Sequence, residues 1–145
     1  MSNIIGLNGP EIGIPAKYSR GQKFPESEIM KAISKTLMKN GGWYKRIQVQ
    51  GQLRQSKGEH YMTPSTMVGT PDWLWLHPVH GFWGIEAKKS KGGRLSSAQA
   101  ANLNEIERAG GVGIVICSIA GLSEAINAHM FGLLERDSKT GFIIY

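Results

Sequence analysis

Apolar residues recur at every third or fourth position in three segments, which is the spacing of one buried face of an α-helix. The first segment ends at Asn40-Gly41-Gly42, a left-handed stop, and predicts a helix over 26–39. The second starts at a capping box, Ser96-Ser-Ala-Gln99, and ends at Gly110-Gly111. The third predicts a helix over 122–134. The apolar positions are Ile29, Ile33 and Leu37, then Leu103 and Ile106, then Ile126, Met130 and Leu133.

Short apolar runs mark the predicted strands, because they are too brief for helices and rich in aromatic and β-branched residues. They cover 43–50, 72–77, 82–88 and 112–117. Only Pro78 to Gly81 separates the second run from the third, which predicts an antiparallel hairpin. The polar stretch 51–67 has no period and is interpreted as an extended loop or a ragged hairpin.

These elements predict an α/β protein with the order α-β-β-β-α-β-α and a mixed central sheet flanked by helices. A length of 145 residues fits one domain, which we place at 25–145. Glycine and proline without a sustained period predict an irregular arm over 1–24.

Basic residues are concentrated in the first two thirds of the chain, and the formal net charge is +6. Residues 1–94 carry 14 basic and 6 acidic side chains, a net of +8, whereas residues 95–145 carry 3 and 5, a net of −2. Although small basic proteins of other kinds are common, this asymmetry favours a surface that meets a polyanion.

The single cysteine, Cys117, excludes an internal disulfide and favours a reducing environment. The N-terminal residues lack a basic region followed by an apolar core, and no stretch approaches the roughly 18 apolar residues that span a bilayer. We therefore expect a cytoplasmic protein with no membrane partner.

Two acids of the basic part fall on the predicted central hairpin. Asp72 opens one strand after Gly69-Thr70-Pro71, and Glu86 lies inside the next, two residues before Lys88. Because side chains alternate along a strand, Glu86 and Lys88 share one face and their apolar neighbours share the other. Carboxylates at the start of one strand and the end of its partner come close, where their like charges repel and favour a bound cation.

The residue types suit Mg2+, with Mn2+ as a substitute, because hard divalent ions take carboxylate and carbonyl oxygens and keep several waters. The predicted ligands are Asp72, Glu86 and the backbone carbonyl of Ala87. A metal there lowers the pKa of a bound water and neutralises charge on a scissile phosphate. Lys88 is placed to orient or deprotonate the attacking water and to stabilise the transition state. The pattern predicts phosphodiester hydrolysis.

Each assignment has a simpler competitor. Glu86 and Lys88 can form a charge pattern on a solvated sheet face, and Asp72 can serve only its turn. The capping box already explains Gln99, but helical spacing also places Gln99 on the apolar stripe that faces the sheet. The pair His77-x-x-His80 has no cysteine and no third histidine near it in sequence, and is interpreted as a loop pair and not as a zinc site.

In chain order, Gly69-Thr70-Pro71-Asp72, Gly84-Ile85-Glu86-Ala87-Lys88 and Ser96-Ser97-Ala98-Gln99 resemble the motifs of the PD-(D/E)XK nuclease superfamily. They are most similar to the virus-type replication-repair nuclease (VRR-NUC) domain in its phage-type, stand-alone form. The resemblance extends over about residues 26–118. It implies an α-β-β-β-α-β core and an active site of Glu28, Asp72, Glu86, Lys88 and Gln99, with Glu28 meeting the metal through water.

The acid of the first helix is contested, because Glu26 and Glu28 both lie in the first turn, where the helix dipole favours acids. The run Ser27-Glu28-Ile29 followed by Ile33 resembles the usual start of the family's helix and favours Glu28. Basic residues outside the motifs are expected to hold backbone phosphates, or else form solvated charge runs. These are Lys45, Arg46, Arg54, Lys57, Lys89, Lys91 and Arg94.

The resemblance implies a Mg2+-dependent DNA endonuclease that cuts branched duplex DNA such as Holliday junctions, in repair or recombination, within a bacterial or phage-infected cell. Symmetrical cutting of two strands implies a homodimer. Two alternatives are a non-catalytic nucleic-acid-binding relative of such nucleases and a sequence-specific restriction-type endonuclease.

Overall fold

The computed structural model describes residues 9–15, 23–47, 52–56, 58–63 and 67–145, and only the backbone of 52–56 and 59–63. In chain order the elements are β1 (Ile12–Gly13), α1 (Glu26–Asn40), β2 (Trp43–Arg46), β3 (Gln52–Ser56), β4 (Glu59–Thr63), β5 (Trp73–His77), β6 (Gly81–Ala87), β7 (Arg94–Leu95), α2 (Ser97–Arg108), β8 (Val112–Ile116), α3 (Gly121–Met130) and β9 (Ile143–Ile144). The predicted α/β class and mixed sheet are confirmed.

The main sheet has five strands in the order β2-β5-β6-β8-β9. Strands β2, β5 and β6 are antiparallel neighbours, whereas β8 and β9 run parallel to β6. The pairing of β5 with β6, with Trp73 opposite Ile85, confirms the predicted hairpin. Because a parallel neighbour requires a crossover connection, α2 carries the chain from β6 to β8. Elements α1, β2, β5, β6, α2 and β8 therefore follow the predicted order.

Apolar side chains form a cluster on each face of the main sheet, so the protein has three layers. On one face α1 and α3 pack around Trp75 and Trp83, which are completely buried. On the other face Leu103 of α2 packs with residues of β8 and β9. Ile85 and Ala87 join Trp83 in the first cluster, which confirms the predicted alternation of faces along β6.

Helices α1 and α2 confirm the first two predicted helices, but α3 ends at Met130, short of the predicted residue 134. At its end the Leu133 N–H donates to the Ala128 carbonyl over 2.8 Å, and the Gly132 N–H donates to the His129 carbonyl. With Gly132 at a φ of 67°, this is a Schellman motif, which turns the chain away from the helix axis. Among the helices described, none has the length and apolarity needed to cross a membrane.

The segment 51–67 allows two interpretations, and its described part agrees with the ragged hairpin. Strands β3 and β4 pair antiparallel on either side of Gly58, which has a φ of 77°. Strand β2 ends at Arg46 instead of the predicted residue 50, and residues 48–50 lie outside the described part.

Strands β1, β7 and β9 were not predicted, because two residues carry no detectable period. Strand β1 lies within the arm predicted as irregular, and its Ile12 is paired with Leu95 of β7. The neighbouring Ile14 is buried in the cluster around α2. This part of the arm is therefore packed on the domain, while 1–8 and 16–22 lie outside the described residues.

Candidate active site

Asp72 and Glu86, which we call the carboxylate pair, meet at the end of the sheet where β5 begins and β6 ends. The Ala87 N–H donates a hydrogen bond of 2.8 Å to Oδ2 of Asp72. Just after β2, the Ile47 N–H donates to the Asp72 carbonyl over 2.8 Å. The main chain of Asp72 is thus tied to β2 and its carboxylate to β6.

Two glycines allow the turn before the carboxylate pair to approach α2 and the sheet. Gly69 has a φ of 84°, and a Cβ there would lie 2.6 Å from the carbonyl carbon of Ala98 at the start of α2. A Cβ on Gly84 would lie 3.0 Å from Cγ of Pro71 and would overlap the Ile106 side chain. Any larger residue at either position would push the turn away from its neighbours.

Glu86 is the buried member of the pair, with 2% of its surface exposed. Its Oε1 accepts a hydrogen bond of 3.1 Å from Nε2 of Gln99. Its Oε2 is buried and, in the ionised carboxylate, accepts no hydrogen bond from any described residue. Since buried polar atoms normally have a partner, Oε2 marks a place where a proton or a cation would satisfy the carboxylate.

Gln99 fills both of the roles that its position in the sequence allows. Its Oε1 accepts a hydrogen bond of 2.9 Å from the Ser96 N–H, and its own N–H donates to Oγ of Ser96 over 3.1 Å. This arrangement confirms the capping box. The same amide presents Nε2 to Glu86, so the start of α2 holds the buried acid in position.

Burial, then the negative charge of Asp72, and then a hydrogen bond that the protonated Glu86 carboxyl donates to Asp72, raise the pKa of Glu86 from 4.5 to about 10. The nearby Lys88 opposes this rise in pKa, and Glu26 adds a smaller increase. Without a cation, the raised pKa of Glu86 favours its protonated form at neutral pH. Because a carboxylate must be deprotonated to bind a metal ion, cation binding here would release that proton.

Lys88 lies beside the pair, half-buried at the end of β6. Its N–H donates to the Ile116 carbonyl over 2.9 Å, which extends the ladder between β6 and β8 by one residue. Its charge lowers the pKa of Glu86, as expected for two residues on the same face of a strand. The structure therefore brings Asp72, Glu86, Lys88 and Gln99 together.

Glu26 and Glu28 both begin α1 but face different directions, because side chains two residues apart on a helix point about 160° apart. Glu28 is half exposed, and its Oε1 lies 3.5 Å from Nζ of Lys31. Glu26 lies one turn before the buried Met30, and its charge raises the pKa of Glu86. Glu26 is therefore a second candidate for the helix acid, since its charge acts on Glu86, and the spacing to Met30 could have indicated it.

The carboxylate pair has the donor chemistry of a site for a hard divalent cation. The orphaned Oε2 of Glu86 and the like charge of Asp72 are features that such an ion would neutralise. In the part of the chain that the structure describes, no group of three His, Cys, Asp or Glu side chains is arranged to hold a metal ion. Asp72, Glu86 and the Ala87 carbonyl would be the protein ligands of such an ion, together with water.

The side chains of two neighbouring basic residues of β2 project from opposite faces of the sheet. Arg46 lies opposite Trp73, and Lys45 lies opposite Leu74. Since Trp73 belongs to the cluster around α1, Arg46 is on the face that carries α1 and Lys45 is on the other face.

The other predicted DNA-binding residues lie on different elements. Lys89 and Lys91 are exposed in the loop after β6, and Arg94 is exposed on β7. The side chain of Arg54 and the whole of Lys57 lie outside the described residues.

The hairpin turn between β5 and β6 holds His77 and His80, and the fold adds His129 from α3. The ring centroids of His77 and His80 lie 4.6 Å apart, and those of His80 and His129 lie 6.1 Å apart. The Val79 N–H donates to Nδ1 of His77 over 3.0 Å, so Nε2 carries the proton and donates to the Asn40 carbonyl over 3.1 Å. Both ring nitrogens of His77 therefore stabilise the turn.

No family model matches the chain, and neither a curated protein nor a solved structure is detectably similar to it.

Proposed function

We propose that this protein is a metal-dependent DNA endonuclease with a PD-(D/E)XK active site, related to VRR-NUC domains, which cuts branched DNA such as four-way junctions. The observation that carries the proposal is the buried Glu86, with one unpaired oxygen, beside Asp72 and Lys88. Such a group is costly in a folded protein, and strongly shifted carboxyls of this kind are concentrated at functional sites. Its location within the basic part of the chain suits an anionic substrate.

The order of elements supports the proposed family. Along the chain, the strands of the main sheet and the helices that pack on it follow the order α1, β2, β5, β6, α2, β8. This is the α-β-β-β-α-β order that the resemblance implies. The strand that carries Glu86 lies in the middle of the sheet, between β5 and β8, so the backbone that positions the acid is held on both sides. A site built on central strands is held more rigidly than one built on loops.

Asp72, Glu86 and the Ala87 carbonyl would hold Mg2+ or Mn2+, which when bound lowers the pKa of a water and neutralises charge on the scissile phosphate. Glu86 would bind the ion in its deprotonated form, and the Gln99 amide holds Oε1 of Glu86 in place. The ammonium of Lys88 orients the attacking water and stabilises the negative charge that develops on the phosphate oxygens.

We assign the helix acid to Glu26. Its charge acts on Glu86, whereas Glu28 is exposed and pairs with Lys31. A carboxylate at this position adds a polar group near the carboxylate pair. It would accept a hydrogen bond from a water molecule bound at the site.

The choice of branched DNA, and of a homodimer as the active form, rests on the resemblance to phage-type nucleases. A two-fold symmetric dimer presents two equivalent sites, which suits paired cuts in two strands of a junction.

A panel of end-labelled linear, flap, splayed and four-way junction DNAs, incubated with Mg2+ or with chelator, tests the function. We expect Mg2+-dependent cuts in the branched substrates and none in chelator or with Glu86→Ala. DNA binding without any cleavage would favour the non-catalytic module. Cleavage of linear DNA at one sequence would favour a restriction-type enzyme.

A further inference from the structure

An open pocket of about 510 Å3 lies between the first turns of α1 and the paired strands β2 and β5. Lys31 and Arg46 contribute two cations to its lining, and Glu26 contributes one acid. Trp73 also lines this pocket, and it directly follows Asp72 of the carboxylate pair. We call this the helix pocket.

A second pocket of about 350 Å3 lies on the other side of the start of α1. Lys23, Lys89 and Lys91 line it together with Phe24, Pro25 and Ser90, and none of these lining residues is acidic. We call this the lysine pocket.

Hydrogen bonds at the lysine pocket join the segment before α1 to the loop after β6. The Phe24 N–H donates to Oγ of Ser90 over 2.7 Å, and the Ser90 N–H donates to the Phe24 carbonyl over 3.2 Å. Ser90 is buried, with 4% of its surface exposed. The loop that carries Lys89 and Lys91 is therefore held against the start of α1.

Each pocket is lined by a residue that is adjacent in sequence to a residue of the candidate site. The helix pocket reaches Trp73, next to Asp72, and the lysine pocket reaches Lys89, next to Lys88. The hydrogen bond from the Ala87 N–H to Asp72 joins these two stretches of chain. Glu26 lines the helix pocket and Pro25 the lysine pocket, so the start of α1 separates them.

The negative charges of the carboxylate pair repel a phosphate placed over it. Cations that bind the neighbouring phosphates of the same strand would offset this repulsion. Phosphates in one strand recur about every 3.4 Å of helix axis, and Lys and Arg that neutralise them supply most of the sequence-independent affinity. Lys31 is free to take this role, since its exposed ion pair with Glu28 is long, at 3.5 Å, and such pairs stabilise little.

We propose that a DNA strand crosses the start of α1, with phosphates on one side of the scissile position in the helix pocket and phosphates on the other side in the lysine pocket. This inference rests on the proposed nuclease function for the identity of the central phosphate. It adds Lys23 and Lys31 to the DNA-binding surface and divides that surface into two subsites.

Affinity for a labelled four-way junction, measured in chelator over a range of salt concentrations, gives the first test. Lys31→Ala with Arg46→Ala removes the cations of the helix pocket, and Lys23→Ala with Lys89→Ala and Lys91→Ala removes those of the lysine pocket. Each set is expected to flatten the dependence of log Kd on log salt by roughly 0.9 for each phosphate that the variant no longer neutralises. The matched control is Lys35→Ala with Lys39→Ala, exposed on the same helix but outside both pockets. Slopes equal to the control would overturn the inference.

Single uncharged methylphosphonate linkages, placed at successive positions from the branch point, give the second test. In the wild-type protein, an uncharged linkage at a contacted phosphate should weaken DNA binding. We expect the helix-pocket variant to lose this effect for linkages on one side of the scissile position, and the lysine-pocket variant to lose it for linkages on the other side. Loss on the same side for both variants would overturn the proposed strand path. Binding is measured in chelator and does not depend on cleavage. Absence of cleavage with Mg2+ would therefore contradict the nuclease function without contradicting the proposed strand path.

Discussion

The Gln99 side chain donates a hydrogen bond of 3.1 Å to the Glu86 carboxylate while its Oε1 closes the capping box of α2. One amide therefore stabilises the start of a helix and orients a buried acid. The two roles use different atoms of the amide, so they do not compete. A substitution at Gln99 alters both together, and a matched change at Ser96 is needed to separate them.

Gln99→Ala is expected to lower the free energy of unfolding by about 1 kcal/mol, the usual loss for a helix cap, and also to weaken Mn2+ binding and slow cleavage. Ser96→Ala is expected to lower the stability similarly and to leave Mn2+ affinity unchanged, because it does not touch Glu86. Urea denaturation and calorimetric titration with Mn2+ measure the two effects. Equal Mn2+ affinity in both variants would show that Gln99 serves only the helix.

Glu86→Gln is expected to stabilise the metal-free protein at neutral pH. With its pKa raised to about 10, Glu86 stays protonated in the folded chain, whereas the unfolded chain loses the proton above pH 4.5. The free energy of unfolding therefore falls as pH rises between these values. At pH 7 the loss amounts to at most about 3 kcal/mol, and the neutral amide avoids it.

Urea denaturation in chelator from pH 5 to pH 9 checks this prediction. The wild-type protein should lose stability across the range, and Glu86→Gln should show a flatter profile. Added Mn2+ should stabilise the wild type increasingly as pH rises, and should have little effect on the variant. Parallel pH profiles for the two proteins would contradict the raised pKa of Glu86.

Lys88→Ala is expected to slow cleavage by at least about a hundredfold while DNA affinity changes little, because Lys88 acts on the reacting phosphate and its water. Lys88→Arg should not restore the rate, since a planar guanidinium cannot replace a compact cation beside a metal. Single-turnover rates in Mg2+ and affinities in Ca2+ separate the two effects. Lys39→Ala, exposed in the last turn of α1, is the control. Full activity of Lys88→Ala would remove Lys88 from the catalytic set.

Glu26→Gln and Glu28→Gln form a matched pair in the first turn of α1. We expect Glu26→Gln to reduce cleavage and Mn2+ affinity, because its charge reaches the carboxylate pair. Glu28→Gln should leave both unchanged, because its partner is Lys31 at the surface. The reverse result would restore the assignment that the sequence favours.

His80→Phe is expected to reduce the acid sensitivity of the fold. Burial, and then the neighbouring His77 and His129, lower the pKa of His80 below 6.5. The unfolded chain then binds the proton more readily, so stability falls as pH drops below about 6.5. Denaturation between pH 5 and pH 7 in the Glu86→Gln background, where the opposite trend of Glu86 is absent, measures the difference. An unchanged profile would show that His80 does not titrate in this way.

Much of the fold could be predicted because its signals are local. The periods of α1 and α2, the capping box at Ser96 and the alternation that separates Glu86 from Ile85 all arise from neighbours in the chain. The predicted end of α3 was wrong because the spacing of Met130 and Leu133 continues past Gly132, where a left-handed residue ends the helix. The spacing of apolar residues did not reveal that stop.

Local patterns in the chain identify the residues that can form the candidate site: Asp72 after its turn, and Glu86 and Lys88 on one face of a strand. How these residues act together depends on contacts made by the folded chain. The burial that raises the pKa of Glu86, the effect of the Glu26 charge on that pKa and the two basic pockets each depend on elements distant in the chain. Electrostatic energy and desolvation depend on distance and surroundings in space, which local periodicity does not specify.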